Sequence, residues 1–216
     1  MARLSGAGRK ISALVLCLSA ATASPAADLA PGRFLVASRQ VSEAAFAGTV
    51  ILLIRHDGRG TMGLIVNRRS EVPLSKLFPA TPRSGSLADP VYIGGPVGRT
   101  GVIALARSRA APEGAARVFA DVHLIADRDL LERTITAGAG PADFRVYLGY
   151  SGWTTGRLQR EVEAGSWHVL AADTAQVFDP DPDSLWTRLM QTIEGLRAGS
   201  LPTVPAGGAA RGSRGQ

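Results

Sequence analysis

The chain has 216 residues, 45% hydrophobic and 19% charged, which fits one folded domain and excludes a wholly disordered chain. Its formal charge of +6 suggests a phosphate-binding surface, yet Arg3, Arg9 and Lys10 lie at the N-terminus and Arg211 and Arg214 at the C-terminus. Setting those five aside leaves 19 basic against 18 acidic residues, too even a balance for a protein that gains affinity by neutralising phosphates.

Residues 1–26 read as a secretory signal peptide. MARLSGAGRK is cationic, ISALVLCLSAATA is a 13-residue apolar run, and small residues follow at Ala21, Ala23, Ser24 and Ala26. The run is too short to span a bilayer, so no membrane-spanning segment is expected once the leader is removed. The single cysteine, Cys17, lies inside the leader, and Leu16 stands where lipid attachment wants a small residue. A cleaved chain then has no thiol, disulfide or cysteine-bound metal, and its place is the periplasm or outside the cell.

The folded body is expected over residues 30–197. RFLVA reads as a strand, and SEAAF as a helical turn capped by Ser42. TVILLIRH and MGLIVN are β-branched apolar runs suited to buried strands, joined by DGRG with Asp57-Gly58 as the turn dipeptide. That junction contains a G-x-G-x-x-G at Gly58, Gly60 and Gly63. A dinucleotide cradle needs a helix after the third glycine; here LIVN follows, so a hairpin accounts for the glycines.

PLSKLF reads as a helical turn, DPVYIGGPV as a strand ending at Gly94-Gly95-Pro96, and GVIALA as another strand. ARVFADVHLI alternates through Val118, Ala120, Val122 and Leu124 and reads as one strand. Asp127 caps a helix over RDLLERTITA that closes at Gly138. DFRVYLGY is a strand, TTGRLQREVEA a helix with Leu158 and Val162 on one face, and WHVLAA a strand. DPDPDSLWTRLMQTIEGL is a helix with Pro182 at its first position. Residues 198–216, rich in Gly, Ala, Pro and Ser, read as a disordered tail. Strands with hairpin-length gaps and few, late helices give a single α+β domain with coiled, largely antiparallel sheets.

Reactive motifs are sparse. GYSGW lacks the second glycine and the residue order of a nucleophile elbow at Ser151. His56, His123 and His168 are too dispersed for a zinc motif. His56 beside Asp57 has the makings of a general base, or is simply a hydrogen-bonded strand end. The three carboxylates of DPDPD lack the spacing of a calcium loop and suit a helix start. Tyr150, Trp153, Trp167 and Trp186 suit either a cleft or a core. No catalytic set, metal site or cofactor is expected.

RFLVA, FAGTVILLIRH with Phe46 and His56, GTMGLIVNR with Gly63 and Asn67, PVYIGGPV, YLGYSGWTTGRLQREV and VFDPDPDSLW together resemble the YqgE/AlgH family. The resemblance covers about residues 32 to 190 and implies an α+β domain of coiled antiparallel sheets. It transfers no catalytic residue, because the family has no agreed activity. Two departures stand out: members usually lack a leader, and they carry a histidine in the strand after GGPV, where GVIALARS has none. Three functions are therefore entertained. One is a non-enzymatic, exported binding or accessory protein for a protein or small-molecule ligand, with His56, Asn67, Gly94, Gly95, Tyr150 and Trp153 as candidate ligand-binding residues. A second is an enzyme with a dispersed site of His56, Asn67, Tyr150 and Trp153. The third is a cytosolic transcriptional regulator with a misassigned start, although no nucleic-acid-reading motif is present.

Overall fold

A computed structural model describes residues 28–79 and 89–199; the expected leader and tail lie outside these. Its order is β1 (Arg33–Ala37), β2 (Val50–Asp57), β3 (Gly60–Ile65), β4 (Arg69–Pro73), α1 (Leu74–Leu77), β5 (Pro90–Ile93), β6 (Val97–Arg107), β7 (Ala116–Phe119), β8 (Val122–Ile125), α2 (Arg128–Thr136), β9 (Phe144–Trp153), α3 (Arg157–Glu163), β10 (Trp167–Ala171), α4 (Thr174–Val177) and α5 (Pro182–Gly199). The strands run β10-β1-β2-β3-β9-β6-β8-β7, with β4 on β5 and β5 on β9. Every pairing is antiparallel except β5 with β9. The fold is a single α+β domain, as the sequence implies. Among the described residues no helix is long and apolar enough to cross a membrane.

The central stretches of β1 to β3, Phe34 to Ala37, Val50 to Ile54 and Leu64 to Ile65, are continuously apolar because both of their faces are covered, and a strand's side chains alternate between faces. Phe34, Val36, Val50, Leu52 and Leu64 meet Val177, Phe178, Leu185, Leu189 and Met190 of the C-terminal helices. Leu35, Ala37, Ile51, Leu53 and Ile65 form the opposite face with Trp153, Leu158 and Trp167. A third cluster packs Ala104, Ile125, Phe144 and Val146 against Leu130, Leu131 and Ile135 of α2. The Asp127 cap is in place, its side chain accepting from Leu130 N at 2.8 Å, and Pro182 opens α5.

Strand β9 connects the two halves of the sheet. Phe144 to Tyr150 pair with β6, and Ser151 to Trp153 pair with β3. At the changeover Gly149 has φ +68, and the Gly94-Gly95 segment crosses it. Gly94 N donates to Leu148 O at 2.8 Å, and Gly94 O accepts from Ile65 N at 2.9 Å.

Several local readings need correction. SEAAF forms a turn in which Phe46 N and Ala47 N both donate to the Glu43 carbonyl at 2.8 Å, so Glu43 organises it and Ser42 does not cap a helix. The β2–β3 turn centres on Gly58-Arg59, one residue beyond Asp57-Gly58, because Asp57 pairs with Gly60. ARVFADVHLI is a hairpin, β7 and β8. Its turn, Ala120-Asp121, was hidden because Ala120 takes φ +40 without the usual glycine or asparagine. Asp121 makes that turn tenable by accepting from Thr174 Oγ1 at 2.6 Å and Arg107 Nε at 3.0 Å. β4 and α4 were not expected; RSEVP has no alternation, and TAQV is only one turn long.

Candidate functional site

The six sequence candidates do not share one place. His56 is exposed at the far end of β2, with Nδ1 2.7 Å from Thr61 Oγ1. Asn67 belongs to the near end: its Oδ1 accepts from Val50 N at 2.8 Å and its Nδ2 donates to Gly48 O at 2.9 Å. Val50 and His56 are six residues apart on one strand, roughly 20 Å at the usual rise. Trp153 is buried and donates from Nε1 to Glu161 at 2.9 Å, while the half-buried Tyr150 packs near Gly98 and Gly152. The structure therefore does not assemble His56, Asn67, Tyr150 and Trp153 around one small substrate, which catalysis would require.

Asn67 makes its two bonds in a strand-to-turn junction, so its first duty is to the backbone. Asn67→Ala leaves the buried Val50 N–H without its acceptor and is expected to destabilise by about 2 kcal/mol. Chemical denaturation checks this; a variant as stable as the parent would return Asn67 to the ligand candidates.

Other reactive side chains are also committed. Ser151 is fully buried and donates to Gly94 O at 3.3 Å. His123 is the exception: it is buried in β8 and its Nδ1 has no described hydrogen-bond partner. His168 lies 3.2 Å from Arg197; burial and then the Arg197 charge hold its pKa below the ordinary value. Of the DPDPD carboxylates, Asp179 and Asp181 both pair with Arg188, Asp181 also accepts from Ser184, and Asp183 pairs with Arg69.

Gly95 lines a small cleft of about 160 Å³ with Ile65, Arg68, Ile93, Pro96 and Arg99. A larger cleft of about 360 Å³ involves none of the six candidates. Its lining is Arg69, Pro90, Tyr92, Pro141, Ala142, Arg145, Phe178 and Pro180. Tyr92 and Ile93 are consecutive in β5 and line different clefts, as expected for opposite faces of a strand.

Arg145 is the centre of the larger cleft. It is 3% exposed and donates to the carbonyls of Pro141 (3.1 Å), Val177 (3.0 Å) and Asp179. Its guanidinium lies 4.9 Å from the Tyr92 ring centre and 5.8 Å from that of Phe178. No described carboxylate pairs with it, whereas Arg69 at the rim pairs with Asp183. Burial raises the pKa of Tyr92, and the two arginines oppose that rise. An arginine inside the strand DFRVYLGY was the available signal. Nothing in the sequence links it to Tyr92 or Phe178, which the fold brings to it.

The AlgH-like family profile matches residues 34–197. A UPF0301 protein of Chlorobium limicola is 34% identical over 169 residues, covering 77% of this chain and 88% of that protein. One from Methylococcus capsulatus is 34% identical, covering 79% and 92%. Among solved structures, the AlgH protein of Pseudomonas aeruginosa superposes with a TM-score of 0.63 at 29% identity, over 87% of this chain and 98% of that one. A Corynebacterium diphtheriae protein gives 0.63 at 26% identity, over 76% and 87%.

Proposed function

This chain belongs to the AlgH-like family, and from that premise we propose that it is an exported, non-enzymatic binding protein. The observation that carries the reading is the lining of the larger cleft. Two guanidiniums, three prolines and two aromatic rings can hold and orient a molecule. Neither arginine is a general base at neutral pH, and Tyr92, its pKa raised, stays protonated. Export is supported by the cationic, apolar and small-residue sequence of residues 1–26. The near-neutral body gives no support to a phosphate-reading regulator.

Fractionation of the producing cell, with mass spectrometry of the intact chain, tests the reading. A periplasmic or secreted chain beginning near Ser24 or Ala27, carrying a non-covalent small molecule under native conditions, is the expected result. A cytosolic chain that retains the leader overturns export. Substrate turnover abolished by one cleft substitution overturns the non-enzymatic assignment.

A further inference from the structure

The larger cleft has a charge asymmetry that specifies a ligand class. A guanidinium carries five N–H groups; Arg145 uses three on carbonyls, leaving one N–H on each terminal nitrogen without a described acceptor. Carbonyl dipoles and aromatic faces stabilise a buried cation without cancelling its unit charge, and a charge removed from water acts strongly on its surroundings. The cleft walls are apolar and stiff: Pro90, Pro141, Pro180, Phe178 and the Tyr92 ring. Its volume of about 360 Å³ lies within the usual range of small-molecule sites, roughly 300–1,000 Å³.

A second observation comes from Tyr147, two residues from Arg145 and so on the same face of β9. Its hydroxyl is fully buried behind the cleft with no partner in full hydrogen-bond geometry, and Arg145 is the cation that acts on it, as charge and as hydrogen-bond donor. Burial pushes its pKa up, so it stays neutral and both donates and accepts. The hydroxyl can accept from one Arg145 N–H, so the surplus on this face is that of Arg145: a unit positive charge and at least one N–H that no described carboxylate meets. A carboxylate, acceptor-only when ionised, matches that excess. A dianion would bring more charge into an apolar slot than Arg145 balances.

We propose that the cleft binds a small organic monocarboxylate with a flat apolar body, an arylalkanoic acid in class, its carboxylate on Arg145 and its ring among the prolines and Phe178. This rests on the binding-protein reading. Arg69 at the rim is compensated by Asp183, so Arg145 supplies the attraction, and Ala142, exposed at the mouth, sets how closely a second negative charge can approach.

Calorimetric titration of the purified chain with 3-phenylpropionate, against the neutral 3-phenylpropan-1-ol, tests the assignment. The acid is expected to bind at least about tenfold more tightly than the alcohol, as a charge-assisted contact predicts. Arg145→Met removes that preference but also loosens the loop from Val177 to Asp179. Ala142→Glu is therefore the companion variant: it adds a carboxylate at the exposed mouth, weakens the acid more than the alcohol, and leaves the melting temperature unchanged. Equal affinities for acid and alcohol, or an Ala142→Glu variant that binds the acid unaltered, overturn the proposal. If the acid fails to bind but the chain carries another native small molecule, the ligand class falls and the binding role stands. If neither is bound, both fall.

Discussion

Gly95→Ala is expected to prevent accumulation of the folded chain, with a loss of at least about 4 kcal/mol. A Cβ on Gly95 would lie 2.2 Å from Tyr150 C and 2.4 Å from both Ser151 N and Tyr150 O. All three are backbone atoms of the strand that joins the two halves of the sheet, so no rotamer change relieves the clash. Gly149, on the other side of the crossing, meets the same obstacle: its Cβ would lie 2.6 Å from Gly95 O and 2.8 Å from Val97 O. Gly165→Ala is the matched control. Its φ is +78 but its Cβ would meet nothing within 4 Å, so it bears only the left-handed backbone penalty of about 1 to 2 kcal/mol. Expression yield and denaturant melts separate the two. A Gly95→Ala chain as stable as Gly165→Ala would mean that the crossing can open.

The second large effect lies at Glu161. One oxygen, Oε2, accepts both indole N–H groups, from Trp153 and Trp167, each at 2.9 Å, while Oε1 accepts Arg157 Nε at 2.9 Å. The two indoles are buried and cross at 87° with centres 6.0 Å apart; Phe46 stacks on Trp153 at 6.2 Å. Glu161→Ala strips both indoles of their acceptor and is expected to destabilise by about 3 kcal/mol. Glu161→Gln keeps an amide oxygen for the indoles and loses the Arg157 charge pair, for about 1 kcal/mol.

The same carboxylate gives a pH dependence. Burial works to raise its pKa, but the bonds from Trp167, Trp153 and Arg157 outweigh burial and hold it below the ordinary 4.5. A carboxyl with a lowered folded pKa contributes stability above its unfolded pKa and loses it as pH falls through the folded value. The parent chain is therefore expected to lose its advantage over Glu161→Gln on acidification from 4.5 downward. Denaturant melts at pH 7 and below pH 4 measure this. A gap between the two chains that stays constant across that range would remove Glu161 from the acid limb.

What could be read from sequence follows physical rules. FLVA and VILLI announce strands buried on both faces because neither run contains a polar residue. Asp127 and Pro182 announce helix starts because capping and a fixed φ act locally. The Ala120-Asp121 reversal gave no such signal: its stability comes from Thr174 and Arg107, distant in the chain. The glycines of GGPV were visible, but their partner, the bend at Gly149, was 54 residues away. Candidate site residues chosen by polarity and by family resemblance proved to hold the architecture, Asn67 by bonding Val50 and Gly48, and Trp153 by bonding Glu161. Arg145 carries no functional signal in the sequence, because an arginine in a strand normally reads as a solvated position, and only tertiary packing buries it.

The glycine crossing serves the fold, and the proposed ligand cleft lies on the Tyr92–Arg145 side of β5 and β9. Amide chemical-shift mapping of the chain titrated with 3-phenylpropionate tests that division most directly. The predicted shifts fall at residues 69, 91–92, 142–145 and 178–179, with residues 56, 67 and 97–99 unmoved. Shifts centred on residues 65–68 and 93–99, with the Arg145 region unmoved, would contradict it.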